Sequence, residues 1–316
     1  MTQDRDTPKG FVLATTVYTL WGFLPLYMKL LAHIPPAEVI VHRILWSVPI
    51  AGAVVLLSRQ TAELGRMLRS PRMLGMAAAA AAIVSVNWGI YVWAVTSGHA
   101  LDAALGYYIN PLFSVFLGAV LLRERLSPAQ WAAIALAAGA VAVLTWETGS
   151  LPVAALGLTL SWGAYAFLKK WLPIGANQGF LLEVLILLVP ALLYLAVLTV
   201  RGESHFLAGS LADTAVLLGC GLITAVPLML YANGAKLLRL STIGVLQYIA
   251  PTLVALVAVF LFGEEFGRAR MIAFPMIWAA LILYTVAMFR NARAARAERA
   301  LVEAGCPLCP RAPARL

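Results

Sequence analysis

The chain has 316 residues, of which 62% are hydrophobic and 12% charged, and its net charge is +9. Soluble domains run at roughly a quarter charged and about half apolar, so a water-soluble fold could not cover this much apolar surface. The positive balance does not point to nucleic acid either, because the basic residues are scattered through short loops and form no single patch or recognition motif.

Ten apolar runs approach the length of about 20 residues that a membrane-crossing helix needs. In chain order they are residues 10–31, 36–57, 73–96, 101–122, 127–146, 151–171, 177–199, 211–237, 241–262 and 267–289. The longest connection, 58–72, is polar and basic, and the chain beyond Arg290 turns Arg/Ala-rich, which predicts a short helical extension and a disordered tail. None of the runs shows the ten-residue alternation of a membrane β-barrel strand. Seven carry an interior proline (Pro25, Pro49, Pro111, Pro190, Pro227, Pro251, Pro275) that removes a backbone donor and can bend the helix. The fold class expected is an all-α polytopic membrane protein of ten transmembrane helices.

The basic residues set the orientation. With the N-terminus in the cytoplasm, eighteen of the twenty-three fall on the cytoplasmic side: Arg5, Lys9, Arg59, Arg66, Arg69, Arg72, Arg123, Arg125, Lys169, Lys170, Lys236, Arg239, Arg290, Arg293, Arg296, Arg299, Arg311 and Arg315. Lys29, Arg201, Arg268 and Arg270 fall on the far side, and Arg43 lies within a span. Short basic loops resist translocation, so both termini are expected in the cytoplasm.

The second half echoes the first. Tyr108, Ile109, Pro111, Leu121 and Glu124 align with Tyr248, Ile249, Pro251, Leu261 and Glu264 without a gap, and the same spacing puts Tyr91 on Tyr231. With a one-residue slip, Trp21-Gly22 falls on Trp162-Gly163 and Val48-Pro49 on Val189-Pro190. Five spans per half is an odd number, so the second copy enters the membrane from the opposite side. Inverted repeats of this kind mark secondary transporters, with a solute site near the midplane. The division expected is 1–9 (cytoplasmic), 10–148 (first repeat), 149–290 (second repeat) and 291–316 (cytoplasmic basic tail).

Two charges lie deep in the spans. Arg43 is seven residues past Pro36, about 10 Å along a helix. A charge at the bilayer centre costs about 2.5–3.5 kcal/mol, so Arg43 should face a watery cavity, where its guanidinium either ties down carbonyls or meets a carboxylate or phosphate. Glu183 sits equivalently in the second half and is a candidate carrier of a coupling proton, or else a helix-locking hydrogen-bond partner. Asn87, Tyr91 and Ala94 share one helical face, as do Tyr107, Asn110 and Ser114, and Tyr18, Trp21 and Pro25. Pro227, Tyr231 and Gly234 align in the second half, with Gln247 and Tyr248 opening the ninth span. Such residues either line a cavity for a planar or amphipathic small molecule or cement helix pairs. Trp146 and Trp171 read as interfacial anchors, Lys29 as a snorkelling side chain, and His33, His99 and His205 as solvated. Cys220 reads as a packing residue, and the CPLC of Cys306 and Cys309 lacks the further ligands of a zinc site, so no metal is expected.

HRILWS (42–47), NWGIYVWAV (87–95), DAALGYYINP (102–111), GSLPVAALGL (149–158), the lone acid in LLEVL (181–185) and LRLSTIGVLQYIAPT (238–252) together resemble the RarD family of bacterial permeases. That family lies in the EamA branch of the drug/metabolite transporter superfamily, and the likeness covers nearly all of 10–290. It implies a multi-pass carrier of the bacterial inner membrane with two inverted five-helix repeats. The family is named for chloramphenicol sensitivity, and related branches export amino acids and metabolites.

Enzyme motifs (HExxH, GxSxG) and the nucleotide-binding GxxxxGK[ST] are absent, so the expectation is a non-enzyme driven by a gradient. A channel, and less so an intramembrane enzyme, are the alternatives. The expected role is a secondary active exporter of a small amphipathic metabolite, amino-acid-like compound or drug, with no cofactor. The substrate-binding candidates are Arg43, Asn87, Trp88, Tyr91, Tyr108, Asn110, Tyr231, Gln247 and Tyr248, with Glu183 as coupling-proton candidate. The partners expected are a small-molecule substrate, the lipid bilayer and a coupling proton; nucleic acid is not expected, and a homodimer is left open.

Overall fold

A computed structural model describes residues 7–122, 126–171, 175–208, 210–235, 237–238 and 240–303. The basic loop residues Arg123, Arg125, Lys236 and Arg239, together with Arg5 and the CPLC tail, lie outside the described residues.

 Among the described residues every regular element is helical: α1 (Pro8–Leu30), α2 (Pro36–Leu57), α3 (Thr61–Leu68), α4 (Pro71–Thr96), α5 (Ala100–Leu122), α6 (Pro128–Thr148), α7 (Val153–Trp171), α8 (Ala176–Arg201), α9 (Leu211–Ala235), α10 (Leu240–Leu246), α11 (Ile249–Leu256) and α12 (Arg268–Glu303).

Local chemistry sets the helix ends. Thr7 and Ser70 accept from the free amides of Gly10 and Met73, and Ser127 forms a capping box with Gln130. Proline opens α1, α2, α4 and α6, where its missing N–H costs nothing. Gly149 (φ 68°) and Gly202 (φ 67°) close α6 and α8 in the left-handed conformation that glycine adopts without strain. Nine helical stretches are long and apolar enough to span a membrane, and Val153–Lys169 adds a shorter apolar helix, so the ten-span reading holds among the described residues.

Two local expectations are corrected. The 58–72 connection is not only loop, because it carries the short amphipathic helix α3, whose Met67 is buried. The ninth span is not one continuous helix. It breaks between α10 and α11 at Gln247 and Tyr248, and then passes into a π-helical segment, Val257–Leu261. Pro251 has no N–H to give the Gln247 carbonyl, so the ladder lacks a bond at the break. After Arg290, α12 does continue as a helical extension to Glu303; the expected disordered tail falls in residues that are not described.

The main packing contacts recur when the halves are exchanged. Repeat mates touch across the pseudo-two-fold axis: α2 lies on α8, α5 on α11 and α6 on α12. The remaining contacts swap partners, so that α1 packs on α9 and α11 while its mate α7 packs on α4 and α5. The equivalence extends to single residues. A Cβ on Gly22 would collide with Leu253, and one on its mate Gly163 would collide with Phe113, the mate of Leu253. Tyr108 and its mate Tyr248 stack on each other with ring centroids 6.5 Å apart.

Loop contacts sort the connections onto two faces. On the face that holds Thr7, the Thr7 amide donates to the Leu237 carbonyl (3.2 Å) and Gln178 Nε2 donates to Glu63 (2.6 Å). On the opposite face, His33 meets Asp213 (3.0 Å), the fully buried Glu38 carboxylate accepts from the His205 amide (2.7 Å), and Arg270 pairs with Asp102 (3.0 Å). Each of these contacts joins connections that an inverted repeat of five-span halves puts on the same side. His33 is exposed, as expected, and also meets Asp213, whereas His205, expected to be solvated, is part-buried as the partner of Glu38; the 1–2 and 7–8 connections meet through them.

Candidate functional site

At mid-height, α1, α2, α4, α5, α7, α9 and the α10–α11 region enclose a cavity of about 140 Å³. An engineered protein cavity of about 150 Å³ holds benzene, so the volume suits one ring with short substituents. Seven of its eighteen lining residues are Trp or Tyr. Three of these form a triangle: Tyr18, Trp21 and Tyr231, with centroids 5.7, 5.9 and 5.5 Å apart. Tyr91 and Tyr107 face each other at 5.8 Å from α4 and α5. Repeat mates supply opposite walls, Trp21 against Trp162 and Tyr91 against Tyr231. The pseudo-two-fold axis therefore runs through the site.

Arg43 breaks that symmetry. It projects from the second turn of α2, is 4% exposed, and its Nε donates to Thr224 Oγ1 of α9 at 3.0 Å. Its guanidinium carbon lies 4.7 Å from the centroid of the Trp88 ring, within cation–π range. Its Nη1 has no hydrogen-bond partner, and no carboxylate pairs with it among the described residues. Buried charges are ordinarily paired, because an unpaired one forfeits its hydration. Tyr91 Oη and Asn110 Oδ1 are likewise buried and unpartnered. Three lining residues thus keep polar capacity that the protein itself does not use.

Seven of the sequence-predicted residues come together in this cavity: Arg43, Asn87, Trp88, Tyr91, Asn110, Tyr231 and Gln247. Asn87 also ties α4 to α7, its Nδ2 donating to the Leu158 carbonyl (3.2 Å) and to Ser161 Oγ (2.9 Å). Gln247 sits at the break before α11, and its Nε2 donates to the Gly244 carbonyl at 3.2 Å. Tyr108 and Tyr248 do not join them. They line a separate cleft with Thr252 and Trp278, where Tyr108 Oη and Thr252 Oγ1 are 2.6 Å apart. Glu183 is also elsewhere: it is 1% exposed, and Lys169 Nζ (2.7 Å) and Tyr165 Oη (2.9 Å), both of α7, donate to it. Lys169 was legible as a basic residue at the end of a span, but nothing in the spacing showed it reaching back to an acid on the next helix. Thr224 was missed outright, as a lone hydroxyl in an apolar run. Tyr107 and Trp162 were visible only as a face residue and as a repeat mate.

The sequence profile of the EamA-like transporter family matches residues 8–146 and again 151–286, one match for each half. The chain is 39% identical to Protein RarD of Salmonella typhi over 282 residues, covering 89% of this chain and 96% of that one. It is 43% identical to an uncharacterised transporter of Pseudomonas aeruginosa over 286 residues, covering 90% and 96%. A protein of the same organism named chloramphenicol-sensitive protein RarD is 32% identical over 283 residues, covering 88% and 94%. A crystal structure at 20% identity superposes with a TM-score of 0.57, covering 88% of this chain and 97% of that one, which supports the shared fold. Two profile matches, relatives along nearly the full length and a symmetric ten-span bundle agree: the chain belongs to the EamA-like transporter family, as a RarD-type permease of the drug/metabolite transporter superfamily.

Proposed function

We propose that this permease is a secondary transporter that moves a small amphipathic molecule bearing an anionic group across the bacterial inner membrane by alternating access, with export as the direction. The observation that carries the reading is Arg43, a buried cation with no acid beside it among the described residues, held by Thr224 and Trp88 at the edge of an aromatic cavity. A guanidinium presents paired donors that match a carboxylate or phosphate. The rings stack on an apolar body, and the Asn87, Asn110 and Gln247 amides orient it. The repeats 10–148 and 149–290 exchange conformations about their shared axis, while the segments 1–9 and 291–316 stay in the cytoplasm. Amino-acid-like compounds and chloramphenicol are the first cargoes to try, and a proton at Glu183 is the coupling candidate.

The test starts with a thermal-shift screen of purified protein against amino acids, chloramphenicol and other metabolites, because specific binding stabilises the folded state. A stabilising compound is then followed in proteoliposomes. Saturable flux accelerated by unlabelled compound on the other side supports a carrier; high unitary conductance supports a channel instead. Arg43→Ala is expected to weaken binding by about 10- to 100-fold, the worth of one or two charge-assisted hydrogen bonds. Unchanged binding and flux in that variant would remove the anion clamp.

A further inference from the structure

We infer that the cavity selects a singly charged anion with one aromatic ring over the zwitterion and the cation of the same skeleton. The inference rests on the carrier reading above and names the class of its cargo. Arg43 is the one charged residue among the eighteen that line the cavity, and no Asp or Glu is among them. The two described buried carboxylates are engaged elsewhere, Glu38 by Ser204 and His205 and Glu183 by Lys169 and Tyr165. A ligand carboxylate supplies the counter-ion that Arg43 lacks, with the buried, unpartnered Nη1 turning from the cavity wall to meet it. An ammonium on the same ligand brings a second positive charge towards the guanidinium, and the lining offers it ring faces but no carboxylate. Little water screens that repulsion in a site of about 140 Å³.

The other unused polar atoms fit a neutral substituent. Asn110 Oδ1 takes a donor, and Tyr91 Oη can give or accept one. A ligand hydroxyl can answer either without adding charge. The volume limits the apolar body to about one ring, and the seven Trp and Tyr side chains offer it faces and edges to pack against. The class is therefore an aromatic hydroxy- or oxo-carboxylate, the deaminated counterpart of an aromatic amino acid.

The experiment measures binding of five probes to the purified full chain by tryptophan fluorescence, since Trp21, Trp88 and Trp162 line the cavity, with thermal shift as a second readout. The probes are 3-phenyllactate, 3-phenylpropionate, 3-phenylpropionamide, phenylalanine and phenethylamine. Phenyllactate is expected to bind most tightly, at least tenfold better than phenylalanine and the neutral amide, with phenethylamine weakest and phenylpropionate between. Equal or tighter binding of phenylalanine or phenethylamine, equal binding of the acid and its amide, or no binding of any probe at millimolar concentration would overturn the inference. Arg43→Gln should erase the difference between acid and amide; should it fail to fold, the comparison on the wild-type chain decides alone. Proteoliposome counterflow separates the two levels. Anion-selective binding without counterflow sinks the carrier and leaves the cavity chemistry standing. Counterflow that prefers phenylalanine sinks the anion class and leaves the carrier.

Discussion

At the scale of single residues, the two deep charges have opposite settings. Arg43 keeps unused donors at a cavity, whereas Glu183 is clamped by Lys169 and Tyr165 away from it. If Glu183 carries the coupling proton proposed above, the proton competes with Lys169 for the same carboxylate, across the α7–α8 contact. Glu183→Gln keeps the shape and an acceptor for Tyr165 but cannot change charge. Removing one partner of a fully buried pair costs about 3–5 kcal/mol, but Lys169, 26% exposed at its side chain, can turn towards water and so lessen that cost. The variant is therefore expected to fold, to retain counterflow and to lose proton-driven accumulation in liposomes. Full proton-driven transport in Glu183→Gln would end the coupling role. The site was legible where a helix has one polar face, as at Asn87 and Tyr91 on α4. On α5 the shared face of Tyr107 and Asn110 was legible and does line the cavity, but the repeat match of Tyr108 to Tyr248 put Tyr108 among the candidates, and it lines the separate cleft.

At the scale of elements, sequence patterns gave the spans to within a few residues because apolar length and terminal Ser, Thr, Pro and Gly are local signals. The break before α11 was not legible, since a proline inside a membrane helix more often leaves it continuous: Pro25, Pro49, Pro111, Pro190, Pro227 and Pro275 all sit within unbroken helices. Another long-range device joins the halves. The Glu264 carboxylate, beyond the ninth span, accepts from the free amides of Ala100 (2.8 Å) and Leu101 (2.9 Å) at the start of α5. An acid there satisfies two orphan donors and meets the positive end of the helix dipole. Glu264→Ala should cost about 1–2 kcal/mol, seen as a lower melting temperature in detergent and faster hydrogen exchange at Ala100 and Leu101. Glu264→Gln should retain part of the effect through its remaining acceptor. Unchanged exchange at both amides in the alanine variant would show that the cap contributes nothing.

At the scale of the whole molecule, the mechanism depends on the two halves threading the membrane in opposite senses. The swapped contacts of α1 and α7 and the meeting of Tyr108 with Tyr248 are those that a two-fold axis lying in the membrane plane would produce. With that axis, an opening on one side of the cavity maps onto an opening on the other when the halves exchange shapes. Five spans per half then require residue 150 and the C-terminal tail to lie on opposite sides of the membrane. Ser150 is exposed and follows the left-handed Gly149, so it takes a cysteine without the strain that Gly149 itself would suffer. Cys306 and Cys309 mark the tail, and the fully buried Cys220 stays silent. In intact cells, a membrane-impermeant maleimide should label Ser150→Cys and leave the tail cysteines untouched until the membrane is permeabilised. Labelling of both from the same side would mean an even number of crossings between them, and neither the inverted repeat nor the exchange of openings built on it could stand.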